Sequence, residues 1–173
     1  MAGQDPRSVP PEISPLLDDV ARKLLQELQR NGRASYAELA KKSGLSPSAA
    51  AERLRRLEDA GVIRGYRAEI DPEALGLGLT ALIRITADGP QYRALITFLE
   101  GCDQVRECYH VTGGDALMLK VLAASIADLE ELIMKLLHYG VPTTSVVLST
   151  PIERKIFQLD TNATRLNLKK AKV

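Results

Sequence analysis

Apolar positions recur at helical spacing through the first third of the chain and then switch to alternation. In PLLDDVARKLLQELQRNGR, Leu17, Val20, Leu24, Leu25 and Leu28 fall on one helical face. Asp18 or Asp19 stands where a carboxylate can cap the first turn, and Asn31-Gly32 stops the helix. SYAELAKKSG predicts a short second helix. Ser35 and Glu38 have capping-box spacing, and Gly44 closes it. Ser46-Pro47 then opens a third helix, with serine at the N-cap and proline at the first helical position. That helix runs to about Ala60 and stops at Gly61. The last two helices are joined by Ser43-Gly44-Leu45, a turn of the length and glycine content of a helix-turn-helix.

Beyond Gly61 the pattern predicts a short strand in VIRGYRAEI, then the Pro/Gly-containing connector DPEALGLG. LTALIRIT reads as a strand, YRALITFLEGC as a helix, and VRECYHVT and ALMLKVLA as two strands. SIADLEELIMKLLHYG reads as a helix and TTSVVLST as a strand, giving the order β-α-β-β-α-β of a ferredoxin-like unit. IERKIFQL could add one more strand. The predicted class is α+β: a winged-helix-like helix-turn-helix domain joined to a βαββαβ domain. The segments are a disordered leader over 1–14, the helix-turn-helix over 15–63 and a linker strand and connector over 64–78. The βαββαβ domain follows over 79–159, and a basic tail over 160–173.

Charge sharpens this division. The net charge is only +1, but residues 1–70 carry 12 Lys/Arg against 10 Asp/Glu, residues 71–152 carry 5 against 10, and residues 153–173 carry 6 against 2. An acidic middle between basic ends confines any nucleic-acid surface to part of the chain. No apolar run approaches the roughly 20 residues that span a bilayer, and the proline-rich N-terminus lacks the apolar stretch of a secretory signal. The expected location is the cytoplasm, without membrane contact. Cys102 and Cys108 have neither metal-site nor disulfide-framework spacing and read as buried free thiols.

Placed on a helix, Pro47 to Ala60 puts Ala50, Leu54 and Leu57 on the inner side. The other side presents Ser48, Ala49, Glu52, Arg53 and Arg56. A helix that begins small and turns basic one turn later suits entry into a major groove by its N-terminal end. Small side chains let the backbone approach, serine bonds base edges or phosphates, and alanine meets a thymine methyl. Arginines reach phosphate or guanine. Lys41 and Lys42, ending the second helix, lie where that helix would cross the DNA backbone. The alternative, good helix propensity plus a solvated charged face, would be favoured for an isolated helix. Turn, caps, preceding helix and charge together favour double-stranded DNA as partner.

The stretch LLQELQRNGRASYAELAKKSGLSPSAAAERLRRLEDAGVIRGYRAEIDPEALGL, with VTGGDALMLKV and TTSVVLSTP further on, resembles the Lrp/AsnC (feast/famine) regulators over roughly residues 16 to 158. The resemblance implies a transcription factor whose βαββαβ domain, often called RAM, mediates homodimerisation and further assembly to tetramers, octamers or larger discs. It also implies that a small effector, typically an amino acid, shifts assembly or DNA affinity. The effector loop maps onto Gly113, Gly114 and Asp115, and the hydroxyl residues opening the last strand are Thr143, Thr144 and Ser145. An aspartate suits an ammonium, and N–H and O–H donors suit a carboxylate. The same loop is also readable as a plain hairpin turn. The chain departs from the family pattern at Ala21, in its tighter Gly-Gly-Asp loop and at Pro142.

Nothing in the sequence carries catalytic, cofactor or metal-site chemistry: there is no H-E-x-x-H, P-loop, G-x-S-x-G or Cys/His zinc pattern. His110, on a strand, and His138, at a helix end, read as packing and dipole-complementing residues. Two alternatives share the two-domain build: a sirohaem-decarboxylase-like enzyme, and a ligand-sensing oligomer without DNA binding. Arg53, Arg55 and Arg56 argue against the second. The basic tail reads as a solvated end, with added salt-sensitive DNA affinity as the other reading.

Overall fold

The computed structural model describes residues 13–87, 89–113 and 116–159. Residues 1–12 of the leader and the whole basic tail, 160–173, lie outside the described residues. The chain divides into two compact units. One holds the residues up to Ala68 together with those from Arg154 onward, and the other is Glu69–Glu153.

The first unit is built on three helices, α1 (Asp19–Arg30), α2 (Tyr36–Ser43) and α3 (Pro47–Asp59). Each begins at a side chain that satisfies an otherwise orphaned amide. Asp18 accepts from the Ala21 amide at 2.8 Å. Ser35 and Glu38 form the reciprocal capping box at 3.3 and 2.7 Å. Ser46 accepts from the Ala49 amide at 3.2 Å, ahead of Pro47. Between α2 and α3 the chain turns at Gly44, whose φ of 73° is a left-handed conformation that glycine adopts without a Cβ clash. The core is Ala21, Leu24, Leu39, Ala40, Ala50, Leu54 and Leu57. Burying each leucine contributes about 1.5–3 kcal/mol. On α1 the burial centres on Ala21 and Leu24, while Leu17, Leu25 and Leu28 pack only half-buried at the margin. Ser43 is polar and buried, and its hydroxyl donates to the Leu39 carbonyl at 2.6 Å.

The second unit is a four-stranded antiparallel sheet with two helices. In chain order it is β1 (Leu79–Thr86), α4 (Gly89–Glu100), β2 (Val105–Val111), β3 (Ala116–Ala123), α5 (Ile126–Leu136) and β4 (Val141–Val146). The strand order is β2-β3-β1-β4. This is the expected βαββαβ arrangement. Alternation along the strands sends Ala81, Ile83, Ile85, Leu117, Leu119 and Val121 into a core with Leu95, Leu99, Leu129, Leu132 and Leu136 of the helices. The intervening positions form an open face. There Arg84 stands opposite Met118 on β3 and Thr143 on β4, and Leu82 opposite Lys120 and Ser145.

Three expectations are corrected. VIRGYRAEI forms no strand. The Val62 and Ile63 amides turn back to the Leu57 carbonyl at 2.9 and 3.1 Å, closing α3, and their side chains join the helical core. Residues 64–70 are then exposed and lie outside any strand, and the Tyr66 hydroxyl donates to Glu58 at 2.8 Å. IERKIFQL is not a strand either. The Phe157 backbone exchanges hydrogen bonds with the Gln29 carboxamide, at 2.7 and 3.3 Å, in place of a neighbouring strand. The last strand starts at Val141, before TTSVVLST, and so includes Pro142. That residue is tolerated because β4 lies at the sheet edge, where a missing N–H interrupts less of the ladder.

Candidate functional site

The outward side of α3 follows from the inward one. With Ala50, Leu54 and Leu57 buried, Ser48, Arg55 and Arg56 are exposed and Ala49, Glu52 and Arg53 half-buried. The Ser46 and Ser48 hydroxyls stand 3.1 Å apart at the start of the helix, so this end presents two hydroxyls and one methyl. The geometry thus brings Ser46, Ser48, Ala49, Arg53 and Arg56 onto one accessible helix.

Its basic residues are not bare. Arg53 donates from Nη1 to Asp18 Oδ2 at 2.6 Å, with side-chain exposures of 38% and 44%. Arg56 bonds Glu52 at 3.0 Å, and Arg55 bonds Glu52 at 3.0 Å and Asp59 at 3.5 Å. Lys42 is paired with Glu27, which Arg30 also reaches at 2.7 Å. Lys41 is exposed and forms no ion pair among the described residues. The Ala21 amide, and then the Arg53 guanidinium, hold the Asp18 carboxyl below its ordinary range despite partial desolvation. Glu52 is lowered first by Arg55 and then by Arg56, and Glu27 first by Lys42. Exposed pairs of this kind are weakened by solvent screening, so an incoming phosphate can share or take over the cation at little cost. A guanidinium has five N–H donors and need not leave one partner to meet another.

The carboxylate partners were only partly legible. Glu52 and Asp59 lie within four residues of the arginines they hold, a spacing readable on a helix. Asp18 lies 35 residues from Arg53 and Glu27 15 residues from Lys42, so only the packing of the helices reveals them.

In the second unit Gly113 sits in the turn after β2, while Gly114 and Asp115 lie outside the described residues. Of the three hydroxyl residues on β4, Thr143 pairs with Arg84 and Ser145 with Leu82, on the open face. Thr144 pairs with buried Ile83 and belongs to the opposite, helix-covered side. The residue that sequence reasoning missed is Arg84: its Nη2 donates to the Gly113 carbonyl at 2.8 Å, tying the sheet to the loop. Nothing local in LTALIRIT marks it.

The histidines hold ordinary positions. The His110 ring lies 5.7 Å from that of Tyr92, and His138 Nδ1 is 3.2 Å from the Met134 and Lys135 carbonyls at the end of α5. Cys102 is half-buried and Cys108 exposed, correcting the expectation that both are buried. Cys108, on β2 at one edge of the sheet, stands opposite Leu119 of β3. Partial burial still pushes its thiol pKa up. Among the described residues no three His, Cys, Asp or Glu side chains come together as a metal site, and no helix is long and apolar enough to cross a membrane.

Comparison with known proteins matches residues 17–64 to winged helix-turn-helix DNA-binding domains and residues 80–157 to the Lrp/AsnC ligand binding domain. The chain is 44% identical over 121 residues to the HTH-type transcriptional regulator LrpA of Mycobacterium tuberculosis, covering 69% of this chain and 81% of that one. A transcriptional regulator of Neisseria meningitidis, solved with L-methionine, superposes with a TM-score of 0.76 at 31% identity, over 83% of this chain and 97% of that one. A feast or famine regulatory protein of M. tuberculosis complexed with L-methionine gives 0.72 at 36% identity, over 82% and 98%.

Proposed function

The chain belongs to the Lrp/AsnC family of DNA-binding transcriptional regulators, and from that premise we propose that it is a sequence-specific regulator whose assembly or DNA affinity an amino acid controls. The observation that carries the DNA half is α3. Its accessible face begins with Ser46, Ser48 and Ala49 and continues into Arg53 and Arg56, whose carboxylate partners are exposed and exchangeable. Ser46, Ser48 and Ala49 read base edges, Arg53 and Arg56 read or position, and Lys41 and Lys42 touch phosphate. The helical unit serves as the DNA-binding domain and the βαββαβ unit as the effector and assembly domain. A homodimer, or a ring of dimers, sets two copies of α3 in successive major grooves about 34 Å apart. The protein works in the cytoplasm and performs no catalysis.

Two of the similar structures hold L-methionine, which supports an amino-acid effector around Gly113, Asp115, Thr143 and Ser145. The effector acts only if its affinity differs between assemblies. DNA binding is tested by selecting duplexes from a random library and repeating gel retardation with R53A/R56A. Loss of retardation is expected, and unchanged retardation would count against this face. Analytical ultracentrifugation with each of the 20 amino acids tests the effector: a mass change with one of them supports it, and none with any counts against it.

A further inference from the structure

We propose that Arg33, Arg64 and Arg67 form a phosphate-gripping edge beside α3, so that the segment leaving that helix adds a sequence-independent contact to the DNA backbone. This inference rests on the DNA-binding reading above and adds the residues that supply salt-sensitive attraction.

The cations of the helical unit are not equally available. On α3, Arg53, Arg55 and Arg56 each hold a carboxylate. Lys42 is paired with Glu27. Arg64 and Arg67, in the segment that follows α3, are exposed and hold no carboxylate among the described residues. Arg33, between α1 and α2, is also exposed. Its backbone amide donates to the Asn31 side chain at 3.0 Å, while its guanidinium holds no carboxylate among the described residues.

The segment is pinned where such a contact needs it. Val62 and Ile63 turn back onto the end of α3, and the Tyr66 hydroxyl donates to Glu58 in its last turn at 2.8 Å. Partial burial, and then the Glu58 carboxylate, push the Tyr66 phenol up to about 12, so this donor stays protonated at neutral pH. Gly65 has a φ of 144°, and nothing lies within 4 Å of a Cβ built there, so the glycine serves the path of the chain and not a close contact. Tyr66 lines a hollow of about 400 Å³ together with Arg33, Ser35 and Tyr36. Glu58, the only carboxylate lining that hollow, is taken by Tyr66. The clasp therefore holds Arg64 and Arg67, each within two residues of Tyr66, beside the turn that carries Arg33. In a three-helix unit whose third helix lies in the major groove, the turn between the first two helices and the end of the third can both meet the DNA backbone.

A guanidinium fork matches a phosphate bidentately. Each cation that neutralises a phosphate releases a counterion from the duplex, and the gain is larger where no carboxylate already sits on the cation. Labour is then divided: α3, with its arginines internally paired, reads the groove, and the unpaired edge attracts any duplex. The competing occupant is an acidic surface of a second copy of the chain, which predicts a change of assembly and not of salt dependence.

The test is fluorescence anisotropy of the full chain on its selected duplex and on a scrambled one of equal length, from about 50 to 200 mM salt. R64A/R67A should lower the slope of log affinity against log salt by about two, and R33A by about one. Affinity near 0.1 M salt should fall about 10- to 100-fold in the double variant, equally on both duplexes. R64K/R67K keeps the charges and should keep the slope. Circular dichroism melting checks folding, and if the double variant melts early, R64A and R67A singly, each expected to remove about one from the slope, decide. An unchanged slope, or a loss confined to the selected duplex, overturns the inference and leaves the α3 reading standing. An unchanged slope with a lower mass in sedimentation overturns it in favour of the second copy. If wild type binds neither duplex, the DNA-binding reading itself fails and this inference falls with it.

Discussion

Asp18 is asked to do two things with one carboxylate, and substitution can separate them. Its Oδ1 accepts from the Ala21 amide at the start of α1, and its Oδ2 accepts from Arg53 on α3. Removing an N-cap acceptor costs about 0.5–2 kcal/mol. The ion pair is more than a third exposed on both sides, so screening limits it to about 0–1 kcal/mol. Asp18→Ala loses both and should destabilise the helical unit by about 1–2 kcal/mol. Asp18→Asn keeps an acceptor for Ala21 and loses only the charge, so it should cost less than about 0.5 kcal/mol. The assay is urea unfolding of both variants followed by circular dichroism, with stability compared at equal denaturant dependence. Equal losses in the two variants would refute the capping argument, because they would place the stabilisation in the charge. The pH dependence carries the same logic. Asp18 has a folded pKa below its unfolded one, so its contribution is present above the ordinary aspartate range and is lost as pH falls through the lowered value. Asp18→Asn should flatten that acid limb.

Other substitutions test other links. Leu54→Ala empties a fully buried position between the helices and should cost about 2–5 kcal/mol in urea unfolding. Gly140→Ala should loosen the start of β4, since its Cβ would lie 2.0 Å from the Thr86 carbonyl oxygen. Faster amide exchange in Val141–Val146 and lower stability are the expected readouts. Glu52→Gln releases Arg55 and Arg56 from their shared partner, and under the proposed reading it should tighten DNA binding in gel retardation at low salt more than at high salt. Because Arg55 and Arg56 hold the Glu52 carboxyl below its ordinary range, wild-type binding should be insensitive to Glu52 protonation near neutral pH and approach the variant only as pH falls through that lowered value.

Most of the helical unit was legible because its signals are local. Ser35 with Glu38 and Ser46 with Ala49 are three residues apart, and Gly44 announces its own turn. The strands of the second unit were legible because one buried face forces alternation. The failures share one cause. VIRGYRAEI and IERKIFQL have strand-like composition, but strands form only in ladders, and neither segment joins a ladder among the described residues. Thr144 was grouped with Thr143 and Ser145 because sequence adjacency hides the alternation of faces. Asp18 with Arg53 and Arg84 with Gly113 join residues 35 and 29 positions apart, and nothing in either neighbourhood points to the other.

The paired arginines of α3 bear on how such a protein would move through a genome. A helix whose cations already hold carboxylates gains less from arbitrary duplex, because the neighbouring negative charges repel each approaching phosphate and offset part of its attraction. Affinity for random sequence is what keeps a regulator idling on the wrong sites, which outnumber its operators by about 10⁶ or more. Internal neutralisation lowers that background while leaving contacts to base edges at the serine end untouched. Under the proposed reading, the acidic residues around α3 shorten the search by making wrong stops brief, and an excess of bare lysines and arginines would lengthen it.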